Sequence, residues 1–135
     1  MKKKFICTII IPMQPVPKAR PRVVGRHTYT PKKTKDAQAL IALYVRKVYK
    51  GDPLSCPLAL MAIFVHKRPK AMKGLERVPK FTRPDGDNLL KTVMDSMEGI
   101  VYKNDGQFCS LYMEDWYASK EEPPSINLQI FEVHK

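Results

Sequence analysis

The stretch RPDGDNLLKTVMDSMEGIVYKNDGQF, residues 83–108, decides the architecture because its period changes along its length. Leu90, Val93, Met94, Met97, Ile100 and Val101 recur at spacings of three and four, an apolar stripe on a helix that starts near Asp87. YKNDGQ, residues 102–107, then carries an Asn-Asp-Gly turn signal. Phe108 to Tyr117 follows as a strand. A helix that turns sharply into a strand belongs to a sheet with helices packed on it.

Working outward, the same signals recur. Upstream, Phe5 to Ile11 is β-branched and apolar, a first strand. Pro12, Pro15 and Pro17 force an extended connection. Val23-Val24 and His27-Thr28-Tyr29-Thr30 flank Gly25-Arg26 as a short hairpin. Ala37, Leu40, Ile41, Tyr44, Val45 and Val48 predict a second amphipathic helix of about 15 residues, with Thr34 as N-cap and Gly51 as its stop. Leu58 to Val65 reads as a buried strand, and residues 66–84 as a long basic loop. Downstream, the polar KEEPPS segment leads to a last strand, Ile126 to Val133. The order β, hairpin, α, β, α, β, β predicts one α+β domain over residues 1–135, a small mixed sheet with two main helices packed on it.

Composition narrows the class. With 44 % hydrophobic residues in 135, the chain can build a core. The apolar run Leu58 to Val65 is far short of the roughly 20 residues of a membrane helix, and no cleavage site follows Phe5 to Ile11. The expectation is a cytoplasmic protein without a membrane partner. Cys7, Cys56 and Cys109 lie far apart with no metal-ligand spacing, which suits inert thiols in a reducing compartment. The net charge of +11 is unevenly spread: residues 1–50 hold 13 Lys/Arg against one acid, residues 85–135 hold 4 against 10. The first half has the footprint of a polyanion binder, and the second half carries the carboxylates.

Asp85 and Asp87 stand where the basic loop enters the helix. One reading is helix capping, since carboxylates favour that end of the dipole. It accounts for one aspartate better than for two. The other reading is a divalent-metal site, in which Gly86 lets the backbone bend so that both carboxylates meet one ion. Asn88 would then add an amide oxygen to the ion or orient one of its carboxylates. Lys91 lies one helical turn after Asp87 on the same flank. An EF-hand loop is excluded, because counting from Asp85 Leu90 stands where that loop needs glycine and Ser96 where it needs glutamate.

Residues 83–108 resemble the core motif of the RusA family of Holliday junction resolvases: two aspartates two apart, an asparagine, a lysine, a helix, and a turn with a further aspartate before a strand. Asp85, Asp87, Asn88, Lys91 and Asp105 fall on motif positions. PVPKARPRVVGRHTYTPKKTKDAQ, residues 15–38, is similar to the basic N-terminal segment of phage and prophage members. Ala19 departs from an expected glycine, and Asn104 from a second aspartate that some members have. The resemblance implies a homodimeric, Mg²⁺-dependent endonuclease (Mn²⁺ also fitting such a site) acting on four-way junction DNA in recombination, repair or phage DNA processing. It implies Asp85, Asp87 and Asp105 as catalytic metal ligands and Lys91 as a catalytic cation. Such an ion would activate water and offset transition-state charge, with Lys91 on a non-bridging oxygen or on the water.

Lys18, Arg20, Arg22, Arg26, Lys32 and Lys33, with Lys35 nearby and Lys80 and Arg83 beside the aspartates, are the expected DNA contacts. His27, Tyr29 and Phe81 are placed by default in local packing, with base stacking as the other reading. Trp116 is assigned to the core or an interface. Glu98, on the flank of Lys91, is a further supporting candidate, and His66 and His134 receive no role. Two competing functions stay open: a catalytically inactive junction- or nucleic-acid-binding protein, and an RNA-binding module. The latter is weakened by the absence of an RNP-type aromatic motif.

Overall fold

Alternation along three strands builds the centre of the molecule. The computed structural model describes residues 2–82 and 86–135. Its elements are β1 (Lys2–Ile11), β2 (Arg22–Val24), β3 (His27–Tyr29), α1 (Lys32–Val48), β4 (Leu58–His66), β5 (Val78–Pro79), α2 (Gly86–Met97), β6 (Phe108–Tyr117) and β7 (Ser125–His134), with a 3₁₀ turn at Asp105–Gln107. Five strands form a mixed sheet in the order β1-β7-β4-β6-β5, and β2 and β3 form a separate ribbon. This is the α+β domain that the sequence pattern predicts.

Register explains the core. Cys7, Ile9 and Ile11 face Ile130, Leu128 and Ile126, which in turn face Leu60, Ala62 and Phe64. All of these are buried, and Ile41 and Val45 of α1 with Leu89, Val93 and Met97 of α2 complete one cluster with them. Both helices therefore cover the same side of the sheet. Residues of opposite parity, such as Thr8, Ile10, Met61, Ile63, Asn127 and Gln129, line a shallow depression on the other side. β6 joins β4 in parallel, which needs a crossover, and the chain makes it through α2.

Several boundaries differ from expectation. β1 begins at Lys2 because Lys2 to Lys4 pair with His134 to Glu132. α1 starts at Lys32, with Pro31 at the N-cap and no side-chain cap. Thr34 is instead buried inside the helix, and its hydroxyl accepts the Ala19 N–H at 3.2 Å. The helix ends before Gly51, because Tyr49 turns extended while its N–H still reaches the Val45 carbonyl. The basic loop is also more ordered than its composition suggests. Val78–Pro79 pairs with Trp116–Tyr117, and the Arg68 guanidinium donates to the carbonyls of Lys73, Gly74, Glu76 and Ala118.

Candidate active site

α2 carries the site. Asp87 stands in its first turn and Lys91 one turn later, both exposed on one flank. Asp85 and Arg83 lie outside the described residues. Gly86 opens the helix without a left-handed backbone. A Cβ there would lie 2.3 Å from Met113 Cε and 2.4 Å from its Sδ. The glycine therefore serves the close approach of α2 to β6, a different reason from the bending point that the sequence suggested.

The proline-rich segment before the hairpin is tied to this helix. The Lys18 N–H donates to the Asn88 carbonyl at 3.0 Å, and Lys18 Nζ lies 2.6 Å from Asp95 Oδ2. Lys18, expected as a DNA contact, thus has its charge committed to α2. Asn88 is half-buried, and its carbonyl also accepts the Thr92 hydroxyl at 3.3 Å. Arg20, Arg22, Arg26, Lys32, Lys33 and Lys35 are exposed. Lys80 donates its N–H to the Asp115 carbonyl and its Nζ to the Thr82 carbonyl, and it lies over the Tyr117 ring. His27, Tyr29 and Phe81, expected in local packing, are all exposed, Phe81 at 93 %.

Asp105 stands elsewhere. It opens the 3₁₀ turn, and its N–H donates to Glu98 Oε1 at 3.3 Å, just past the far end of α2. Asn104 caps this turn by accepting the Gly106 N–H, while Gln107 accepts the Asn104 N–H. From Asp87 to Glu98 a rise of about 1.5 Å per residue amounts to roughly 16 Å. The strand from Phe108 up to Met113, which touches Gly86, spans a similar length at about 3.3 Å per residue. One chain therefore brings Asp87 and Lys91 together and sets Asp105 with Glu98 at the opposite end. Among the described residues no group of three His, Cys, Asp or Glu is placed to hold a metal ion.

A buried polar group near the site escaped the sequence. His66 Nε2 lies 2.5 Å from Asp115 Oδ1, and its Nδ1 lies 3.3 Å from the Gln14 amide. Asp115 sits on the helix-covered side, two residues beyond the Met113 that touches Gly86. His134 pairs only with exposed Glu132. Trp116 is half-buried and donates to Glu114 at 2.8 Å. A hydrogen bond from the Tyr112 hydroxyl, and then this one from Trp116, hold the Glu114 carboxyl below its ordinary range. Of the cysteines, Cys7 is buried and its pKa raised by burial, Cys56 is partly covered, and Cys109 is exposed.

The geometry so far describes a basic α+β domain with carboxylates and a lysine aligned on one helix beside a cationic ribbon, a layout suited to phosphodiester chemistry. The family model described as endodeoxyribonuclease RusA matches residues 12–130. The chain belongs to the RusA endodeoxyribonuclease family, whose members are Holliday junction resolvase nucleases acting on branched DNA and in general dependent on divalent metal. It is also 31 % identical over 140 residues to "Uncharacterized protein YqaN" of Bacillus subtilis (strain 168), covering 89 % of this chain and 92 % of that protein. No helix among the described residues is long and apolar enough to cross a membrane.

Proposed function

We propose that this protein is a Mg²⁺-dependent, structure-selective endodeoxyribonuclease that resolves four-way DNA junctions by paired nicks, as a cytoplasmic homodimer. The observation that carries the reading is the family match over residues 12–130, within which Asp85, Asp87, Lys91 and Asp105 keep the motif order. A bound divalent ion supplies charge neutralisation and an activated water. Lys91 stands one turn from Asp87, where it meets a non-bridging phosphate oxygen or orients the attacking water. Arg20, Arg22, Arg26, Lys32, Lys33, Lys80 and Arg83 hold the DNA backbone. Asn88, by its place between Asp87 and the Lys18 anchor, keeps the first turn of α2 in position.

The split between Asp87 and Asp105 supports the dimer. A single chain does not assemble the ligand set among its described residues, whereas two chains related by a two-fold axis have the means. Residues 108–114 of β6 carry no strand on their outer side among the described residues, since β5 pairs only at Trp116 and Tyr117. Exposed Leu111 and Tyr112 lie along this edge. Antiparallel pairing of two such edges would set Asp105 of one copy beside Met113 and Gly86 of the other, hence beside its Asp87. The arrangement is isologous and gives two sites for two symmetry-related strands.

Subunit mixing tests this reading. Neither Asp87→Asn nor Asp105→Asn should cut a labelled four-way junction as a homodimer, although both should bind it. Their heterodimer should regain one competent site, and Mn²⁺ titration should count half as many ions per heterodimer as per wild-type dimer. A heterodimer that stays inactive and binds no ion would mean that each site lies within one chain. Tight junction binding by the wild type with no cutting in Mg²⁺ or Mn²⁺ would favour the inactive binding protein.

A further inference from the structure

The ribbon of β2 and β3 is held at its root and uncovered at its tip. At the root, Lys18 and Ala19 are hydrogen-bonded to Asn88 and Thr34, so the ribbon rises next to the first turn of α2. Beyond that, every residue from Arg20 to Tyr29 is exposed, including Val23 at 70 % and Val24 at 61 %. Gly25 makes the turn with φ +61°, at the first central position, which type II′ turns give to glycine. The register pairs Val24 with His27 and Val23 with Thr28, so Val24 and His27 share one side at the tip. A lone two-stranded ribbon is marginal in water, and exposed valines do nothing for it there.

We propose that this tip is a wedge for the branch point, with Val24 and His27 seated against the base pair that ends a DNA arm. The inference rests on the reading of the protein as a junction nuclease. Charge favours DNA as the occupant: Arg20, Arg22 and Arg26 are on or beside the ribbon, and Lys32, Lys33 and Lys35 follow it. Apolar side chains inserted into a continuous duplex must first unstack a base step, which costs free energy. At a four-way junction the stacks are already interrupted, so a base face is open to an apolar contact. The arginines hold phosphates on either substrate, while the tip gains only on the branched one. The wedge thus contributes to the choice of junction over duplex, which phosphate contacts alone do not make.

The test uses a junction with 2-aminopurine beside the crossover, bound in EDTA so that nothing is cut. Wild-type protein should raise the fluorescence on the junction and leave a matched duplex unchanged. Val24→Ser should abolish the rise and lower the junction-over-duplex binding ratio roughly tenfold, equivalent to about 1.4 kcal/mol, with duplex affinity unchanged. Val24→Ile should keep both. Unfolding midpoint and mass in solution should match the wild type. A full fluorescence rise with Val24→Ser, equal losses on junction and duplex, or a change of oligomeric state would each overturn the wedge. Wild-type protein without preference for the junction would instead overturn the functional reading beneath it.

Discussion

Of the contacts between a carboxylate and a basic side chain among the described residues, that of His66 with Asp115 is the most buried. Their side chains are 3 % and 10 % exposed. Removing one partner of a buried hydrogen-bonded pair leaves the other unsatisfied, typically at about 1–3 kcal/mol. Asp115→Ala should therefore lower stability by about 1–3 kcal/mol in urea unfolding, more than Glu132→Ala, whose partner His134 is in water. A second residue-scale effect concerns Glu122. Hydrogen bonds from Arg77 hold its pKa at about 2. Its folded value is depressed, so the contribution is present above the ordinary carboxylate range near 4.3 and fades as pH falls through about 2. Melting temperatures of wild type and Glu122→Gln should differ at pH 7 and converge near pH 2. The placement of Lys91 one turn from Asp87 was legible because both lie on one helix. The His66–Asp115 contact was not, since it depends on the register of two parallel strands far apart in the chain.

At the scale of elements, α2 comes close to β6 at one point, where Gly86 meets Met113. Gly86→Ala drives a methyl into the flexible end of Met113, which must shift to admit it. The expected cost is about 1 kcal/mol, with a larger fall in cleavage because the turn that carries Asp87 shifts. Adding Met113→Ala should restore cleavage at a further cost in stability. Urea midpoints and single-turnover rates together check this. Periodicity revealed both helices and four of the long strands, because each stripe or alternation is local. It missed β5, whose two residues pair with Trp116 and Tyr117, and it misplaced the start of α1, where Thr34 answers to Ala19 rather than to its own helix. Short edge strands and helix ends depend on neighbours in space.

For the whole molecule, the uneven charge fixes how binding responds to salt. If the cationic segments contact six or more phosphates, affinity should fall by at least about 10³ between 50 and 200 mM salt. Replacing Arg20, Arg22 and Arg26 together with alanine should flatten that slope by about three, read from binding isotherms at several salt concentrations. The basic half and the acidic half were visible in the chain, and so was the order of the motif. What stayed hidden was distance. Asp105 groups with Asp87 when the motif is read as a line, yet the helix carries the two apart.

That separation has a consequence for when the nuclease is dangerous. If the cutting centre is shared between two copies, a lone chain holds only half of it and is harmless to the chromosome at any time before it meets its twin. Onset of cleavage would then follow the square of chain abundance at low expression, so dilution itself acts as the safety catch.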